Sequence, residues 1–154
     1  MEYKKALHKA AVLCSQQERC VSDIRKKLVN WELSVEECDE AIDYLISEKY
    51  LDDGRYSQFF VRDKFRFNGW GRTKIKYQLK QKDISSFIIE DALEEINEKE
   101  YLEKLAELLQ VKMRQLRNKD PWKAKASMVR FAQSRGYESH LIFTCIERLL
   151  ASSD

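Results

Sequence analysis

Catalysis and metal binding need particular side chains at particular spacings, and this chain of 154 residues offers few of them. Its two histidines, His8 and His140, lie far apart, and its four cysteines, Cys14, Cys20, Cys38 and Cys145, are irregularly spaced with no Cys-x-x-Cys pair. A zinc site is normally announced by closely paired cysteines or histidines, so neither a metal site nor a Cys–His nucleophilic pair has support. Asp52 and Asp53 are adjacent carboxylates, the residue type that divides acid and base work in glycoside hydrolysis. Neighbours at a helix start point in different directions, however, and capping of free backbone N–H groups accounts for both. Gly69-Trp70-Gly71 lacks the Gly-Lys-Ser/Thr ending of a phosphate loop, and no strand precedes it. The residues point away from an enzyme, with no cofactor and no metal.

What remains is charge. The chain carries 28 Lys and Arg against 26 Asp and Glu, a net charge of +2, yet the signs come in blocks. From Arg62 to Lys82 the cations Arg62, Lys64, Arg66, Arg72, Lys74, Lys76, Lys80 and Lys82 face a single acid inside the run, Asp63. The sign then reverses over Asp83, Glu90, Asp91, Glu94, Glu95, Glu98, Glu100 and Glu103, and returns with Lys112, Arg114, Arg117, Lys119, Lys123, Lys125 and Arg130. Lysine and arginine on helices are commonly plain solvated surface, but segregation this strong fits a surface that follows phosphates or an acidic partner. Phe65, Phe67 and Trp70 interleave with Lys64, Arg66 and Arg72, as base stacking on a single strand requires. Phe59 and Phe60 read as core, and Trp70 reads better as a plug between units than as a stacking platform.

The elements that carry these residues are helices. One proline, Pro121, and four glycines leave little room for extended linkers. A first helix is expected from Tyr3 to about Gln16, with Leu7, Ala10, Ala11 and Cys14 on one side; Ser22 offers a cap for a short second helix. Ser34-Val35-Glu36-Glu37 is a capping box that starts a third. Asp52 caps a fourth helix, with Asp53 at the positive end of its dipole and Leu51 positioned to staple on Tyr56. On that helix Tyr56, Phe59, Phe60 and Asp63 share one face, whereas Arg55, Arg62 and Arg66 line another. A longer helix is expected from about Glu100 to Arg117. Asp120-Pro121 reads as a cap with proline at the first helical position, and Gly136 as a left-handed helix end.

The pattern repeats at a spacing near fifty residues. Ile24, Leu28, Leu33, Cys38, Ile42 and Leu45 correspond to Ile75, Leu79, Ile84, Ile89, Leu93 and Ile96, then to Met128, Ala132, Tyr137, Ile142, Ile146 and Leu149. The expected fold is all-α, a tandem array of three three-helix units (1–50, 51–98 and 99–154) forming an elongated, curved molecule. In each unit the second helix is expected to be basic and the third acidic in its outward positions. No window approaches the roughly twenty apolar residues that cross a bilayer, and free thiols suit a reducing compartment. A cytoplasmic monomer with no membrane contact is expected.

The order Leu51-Asp52-Asp53-Gly54-Arg55-Tyr56, then Phe60-Val61-Arg62, Gly69-Trp70-Gly71, Ile75 and Leu79 resembles the RecX family of bacterial recombinase regulators. The resemblance extends over nearly the whole chain through the three repeats. It departs from the family at Asp83, where a glycine is usual, and at Arg72, where proline is frequent. What it implies is a regulatory protein that binds the RecA filament along its groove and modulates, mostly by inhibition, its ATPase and DNA strand exchange, tuning recombination and repair. The partners so implied are the RecA filament and the single- or double-stranded DNA it encloses. Charge placement nominates Arg55, Arg62, Arg66, Arg72, Lys74 and Lys76 for contact, with Lys123, Lys125 and Arg130 as a second region. The alternative is a stand-alone helical protein that binds DNA or RNA; its basic helices offer mainly lysine, which suits phosphates and not base edges. An inert scaffold would leave the charge blocks unexplained.

Overall fold

The computed structural model describes residues 1–152, and among them every regular element is an α-helix. In chain order these are α1 (Tyr3–Gln16), α2 (Val21–Asn30), α3 (Val35–Ser47), α4 (Asp53–Arg66), α5 (Arg72–Gln81), α6 (Ser86–Leu93), α7 (Glu98–Gln115), α8 (Pro121–Ser134) and α9 (Ser139–Ser152). They fold as two compact units, one of residues 1–59 with 79–92, the other of residues 60–78 with the chain from Leu93 onward. None of these helices is long and apolar enough to cross a membrane.

The first unit is built on α1, α2 and α3. Ala6 and Ala10 put no bulk on the buried face of α1, so it packs closely on Ile24 and Leu28 of α2 and on Cys38, Ala41, Ile42 and Leu45 of α3. Leu7, Ala11 and Cys14 flank that cluster half-buried. Each leucine or isoleucine buried this fully contributes roughly 1.5–3 kcal/mol. The capping box forms as expected: Ser34 Oγ accepts from Glu37 N at 3.1 Å and Glu37 Oε1 accepts from Ser34 N at 3.0 Å. Ser22 does not cap α2. The helix starts two residues earlier, with Cys20 at the cap position, and Cys20 offers no side-chain cap. The acceptor is instead Asp53, whose Oδ1 takes the Val21 N–H at 2.9 Å, while Ser22 Oγ donates to the Lys82 carbonyl at 2.7 Å. Asp52 caps α4, accepting from Arg55 N at 3.0 Å.

The repeated apolar slots are nearly all buried; Ile96 and Leu149 are half-buried. The repeat extends to the backbone. Glu32 (φ 67°), Asp83 (φ 58°) and Gly136 (φ 94°) occupy the same place in successive turns, each left-handed. In each turn the following residue donates back across the helix end, Leu33 to Leu28, Ile84 to Leu79 and Tyr137 to Ala132, at 3.2–3.4 Å. This is a Schellman closure, which needs a left-handed residue just past the helix. Asp83 therefore does the work that glycine does at Gly136.

The second unit packs α7, α8 and α9 around Tyr101, Leu105, Leu109, Met128, Ala132, Ile142 and Ile146, all buried. Asn97 caps α7, which starts two residues before its expected position, and Asp120 caps α8 with Pro121 in the first turn. The face assigned to α4 needs correction. Its buried positions are Ser57, Val61 and Phe65, whereas Phe59 is 51% exposed and Tyr56 and Phe60 are half-buried. Outward positions of α3 and α6 are acidic as expected, with Glu36, Asp39, Glu40, Glu90 and Asp91 exposed; α9 breaks that rule, presenting His140, Glu147 and Arg148.

Candidate partner-binding surface

The glycine break between α4 and α5 is consumed by the fold. Gly69 turns left-handed (φ 67°) and lets Trp70 N donate back to the Lys64 carbonyl at 3.0 Å. Gly71 lies so close to Gly136 that a Cβ would stand 2.4 Å from the Gly136 oxygen; a Cβ on Gly136 would stand 2.3 Å from that of Lys74. Across this contact Gly71 N donates to the Arg135 carbonyl (2.7 Å) and Thr73 N to that of Gly136 (3.0 Å). The Arg72 N–H goes to the Tyr101 hydroxyl at 3.0 Å. The N–H groups that a phosphate loop would offer are thus taken within the chain.

Arg72 is the hub of a polar cluster. Its guanidinium lies 3.8 Å above the Tyr101 ring, donates to Glu138 Oε2 at 2.9 Å and pairs with Glu98. The Tyr101 hydroxyl donates to Glu138 Oε1, and its ring stacks on Phe65 and lies tilted against Tyr137. Burial pushes the Glu138 carboxyl up, but the Tyr101 and Arg72 hydrogen bonds outweigh it and hold the group below the ordinary glutamate range. Burial, with the bond to Glu138, pushes the Tyr101 phenol far up, so it remains a donor.

The other nominated cations divide by what holds them. In the first unit the Arg55 Nε donates to Glu18 at 2.5 Å and its Nη2 reaches the Lys49 and Tyr50 carbonyls. In the second, Arg62 pairs with Glu95 at 3.0 Å. Lys74 extends over the Trp70 ring, its Nζ 4.5 Å from the centroid, with Lys64 at 5.2 Å. Arg66 and Lys123 are exposed, Lys76 and Lys125 half-exposed, and Arg130 exposed with its Nη2 on Ser127 Oγ at 3.2 Å. Arg66, Lys74, Lys123, Lys125 and Arg130 meet no carboxylate among the described residues. Cations nominated together therefore fall into two groups, one spent inside its own unit and one turned outward.

The aromatic interleaving dissolves as well. Phe65 is core, stacked on Tyr101; Trp70 is half-buried, edge-on to Phe60 and covered by two ammonium groups; Phe67 alone of the three is open, 84% exposed. The feature missed in the sequence is Trp122, 83% exposed beside Pro121 at the start of α8. Its signal was its register: six residues before Met128, it lies outside the repeated apolar slots. No group of three or more His, Cys, Asp or Glu side chains converges as a metal site among the described residues.

Against known proteins, the family model described as "RecX, second three-helix domain" matches residues 52–93, and "RecX, third three-helix domain" matches residues 98–146. "Regulatory protein RecX" of Clostridium beijerinckii is 29% identical over 131 residues, covering 84% of this chain and 61% of its own length. That of Clostridium botulinum (strain Eklund 17B) is 36% identical over 105 residues, covering 67% and 49%. This chain thus spans half to three fifths of the length of those two relatives. A crystal structure of RecX from Lactobacillus salivarius superposes with a TM-score of 0.88 at 24% identity, covering 96% of each chain. Another crystal structure of regulatory protein RecX gives 0.86 at 24%, covering 94% of this chain and 71% of that one. These likenesses show the fold. With two consecutive RecX domains matched in order along the chain, and relatives of that name beside them, this chain belongs to the RecX family.

Proposed function

We propose that this chain binds the filament of the RecA recombinase and modulates, mostly by inhibition, its ATPase and DNA strand exchange, as a cytoplasmic monomer made of three three-helix repeats. Membership of a family whose relatives are called regulatory proteins is the observation that carries this reading. The outward cations supply its chemistry. Arg66, Lys74, Lys123, Lys125 and Arg130 meet acidic protein surface or the phosphates of enclosed DNA, with charge steering the approach, and Lys76 belongs to the nominated set as well. Arg55, Arg62 and Arg72 belong to the same set but come second, because each must first exchange a carboxylate of its own chain for one on the partner. A chain built of repeats suits a target built of repeated subunits, and a protein seated in the filament groove hinders entry of a second DNA.

The test is RecA's DNA-dependent ATPase with and without this protein, beside its binding to DNA alone at several salt concentrations. Inhibition at low ratios of protein to RecA, with weak and salt-sensitive DNA binding, is the expected result. Tight DNA binding with no effect on RecA would overturn the reading in favour of a stand-alone nucleic-acid binder. Arg66→Glu is expected to weaken inhibition about tenfold while leaving helicity and melting within about 0.5 kcal/mol of the parent, as for other exposed sites. Arg62→Glu also sets two acids against each other at Glu95, so a stability change there reports the lost ion pair.

A further inference from the structure

We infer that α8 carries a docking site for an acidic peptide with large apolar side chains, centred on Trp122. This goes beyond the RecA reading, since it specifies an occupant by chemistry alone. Trp122 is a wall common to two open recesses. One, of about 410 Å³, is lined on its apolar side by Met113, Leu116, Met128 and Leu150. The other, of about 420 Å³, is formed by Ala126, Val129 and Phe143, the last 44% exposed. A tryptophan left in water forgoes the burial of some 150–250 Å² of ring surface, and tryptophan and arginine at the centre of a desolvated patch are the usual anchors of a protein interface.

Charge selects the occupant. Arg117, Lys119 and Lys125 line the first recess and Lys125 and Arg130 the second, while among the described residues no carboxylate lines either. Asp120, next in sequence, is occupied in capping α8 through the Lys123 N–H at 3.2 Å. Glu147, one turn beyond Phe143 on α9, is the acid that the occupant's carboxylates must avoid. A single-stranded nucleic acid shares the taste for cations and an exposed ring, but it wants flat stacking platforms. Recesses lined by methionine, leucine and valine instead admit aliphatic or phenyl side chains. An amphipathic segment with its apolar residues at helical spacing and acids between them satisfies both features.

The experiment uses the whole chain and a fluorescein-labelled synthetic peptide of about a dozen residues, two leucines and a phenylalanine among aspartates and glutamates, read by anisotropy. The peptide should bind, and its counterpart with lysine for every acid should not. Trp122→Ala and Arg130→Glu should each weaken binding about tenfold or more, the scale on which interface anchors act. Phe67→Ser, which removes an equally exposed ring elsewhere in the second unit, should leave binding unchanged, and circular dichroism should show all three variants folded. The proposal is overturned if the acidic peptide does not bind, if the lysine peptide binds as well, or if Trp122→Ala binds like the parent. It is equally overturned if an oligothymidylate shows the Trp122 dependence and the peptide does not. No recombinase is present, so the RecA reading stands or falls separately.

Discussion

Removing the Glu138 carboxylate should destabilise the second unit by about 2–4 kcal/mol, a large effect for one half-buried glutamate between two helices. The figure follows from what the group holds. Tyr101 is fully buried, and its hydroxyl finds its acceptor in Glu138 Oε1 while receiving the Arg72 N–H. In Glu138→Ala that buried donor has nowhere to go, which costs roughly 1–3 kcal/mol. The bond from Arg72 to Oε2 is also lost; a hydrogen bond to a charged group is worth about 1.5–3 kcal/mol, discounted here to about 1 because Arg72 keeps Glu98 and the Tyr101 ring. At roughly 2–4 °C per kcal/mol for a domain of this size, the melting temperature should fall by about 10 °C. Urea unfolding of Glu138→Ala, Tyr101→Phe and the double variant completes the assay, and the pair should couple by about 1–3 kcal/mol. Acid supplies a second readout. The folded carboxyl lies below its ordinary value of 4.5, so its contribution is complete above that pH and drains away as pH falls through the lower folded value. The gap between the parent and Glu138→Gln should therefore close in strong acid. A cost for Glu138→Ala below about 0.5 kcal/mol, or strict additivity with Tyr101→Phe, would refute the cluster as a support of the α5–α7–α9 junction.

The two kinds of left-handed turn should respond in opposite ways. Gly136→Ala drives a methyl to 2.3 Å from Lys74 Cβ at φ 94°, so a loss of about 3 kcal/mol or more is expected in urea melts. Asp83→Gly relieves a left-handed non-glycine residue and should be neutral or stabilising by up to about 1 kcal/mol. Asp53→Ala leaves the first turn of α2 without its acceptor, since Cys20 supplies none; a cost of about 0.5–2 kcal/mol is expected, and hydrogen exchange at Val21 should rise more than at Arg55, which Asp52 still caps.

How far the sequence could be read depended on the range of the interaction behind each feature. The repeat was legible because burial on a helix follows a local period: Ile24, Ile75 and Met128 announce the same slot from their own neighbours. The capping box at Ser34 and the Asp120-Pro121 start are local too, and both formed. The packed face of α4 is hidden from hydropathy because its buried stripe opens with Ser57, so hydropathy ranks Phe59 above the residue that packs. Nothing within a few residues of Asp53 says that it caps α2, and nothing near Glu138 says that it answers Arg72; those pairings span 32 and 66 residues.

The same reasoning bears on function. A block of positive charge in a sequence counts every cation equally, whereas the fold sorts them by whether an acid from a distant element has already claimed them. Arg55, Arg62 and Arg72 are claimed; Arg66, Lys123 and Arg130 meet no acid among the described residues. A claimed cation gives a partner less, because the partner's carboxylate must displace one already in place, and its loss is felt first in stability. An unclaimed one loses only water. If charge complementarity drives partner binding, reversing Arg66 or Arg130 should change association with stability nearly untouched, and reversing Arg72 should do the opposite, so that one set of variants separates the cations that build the molecule from those that face its partner.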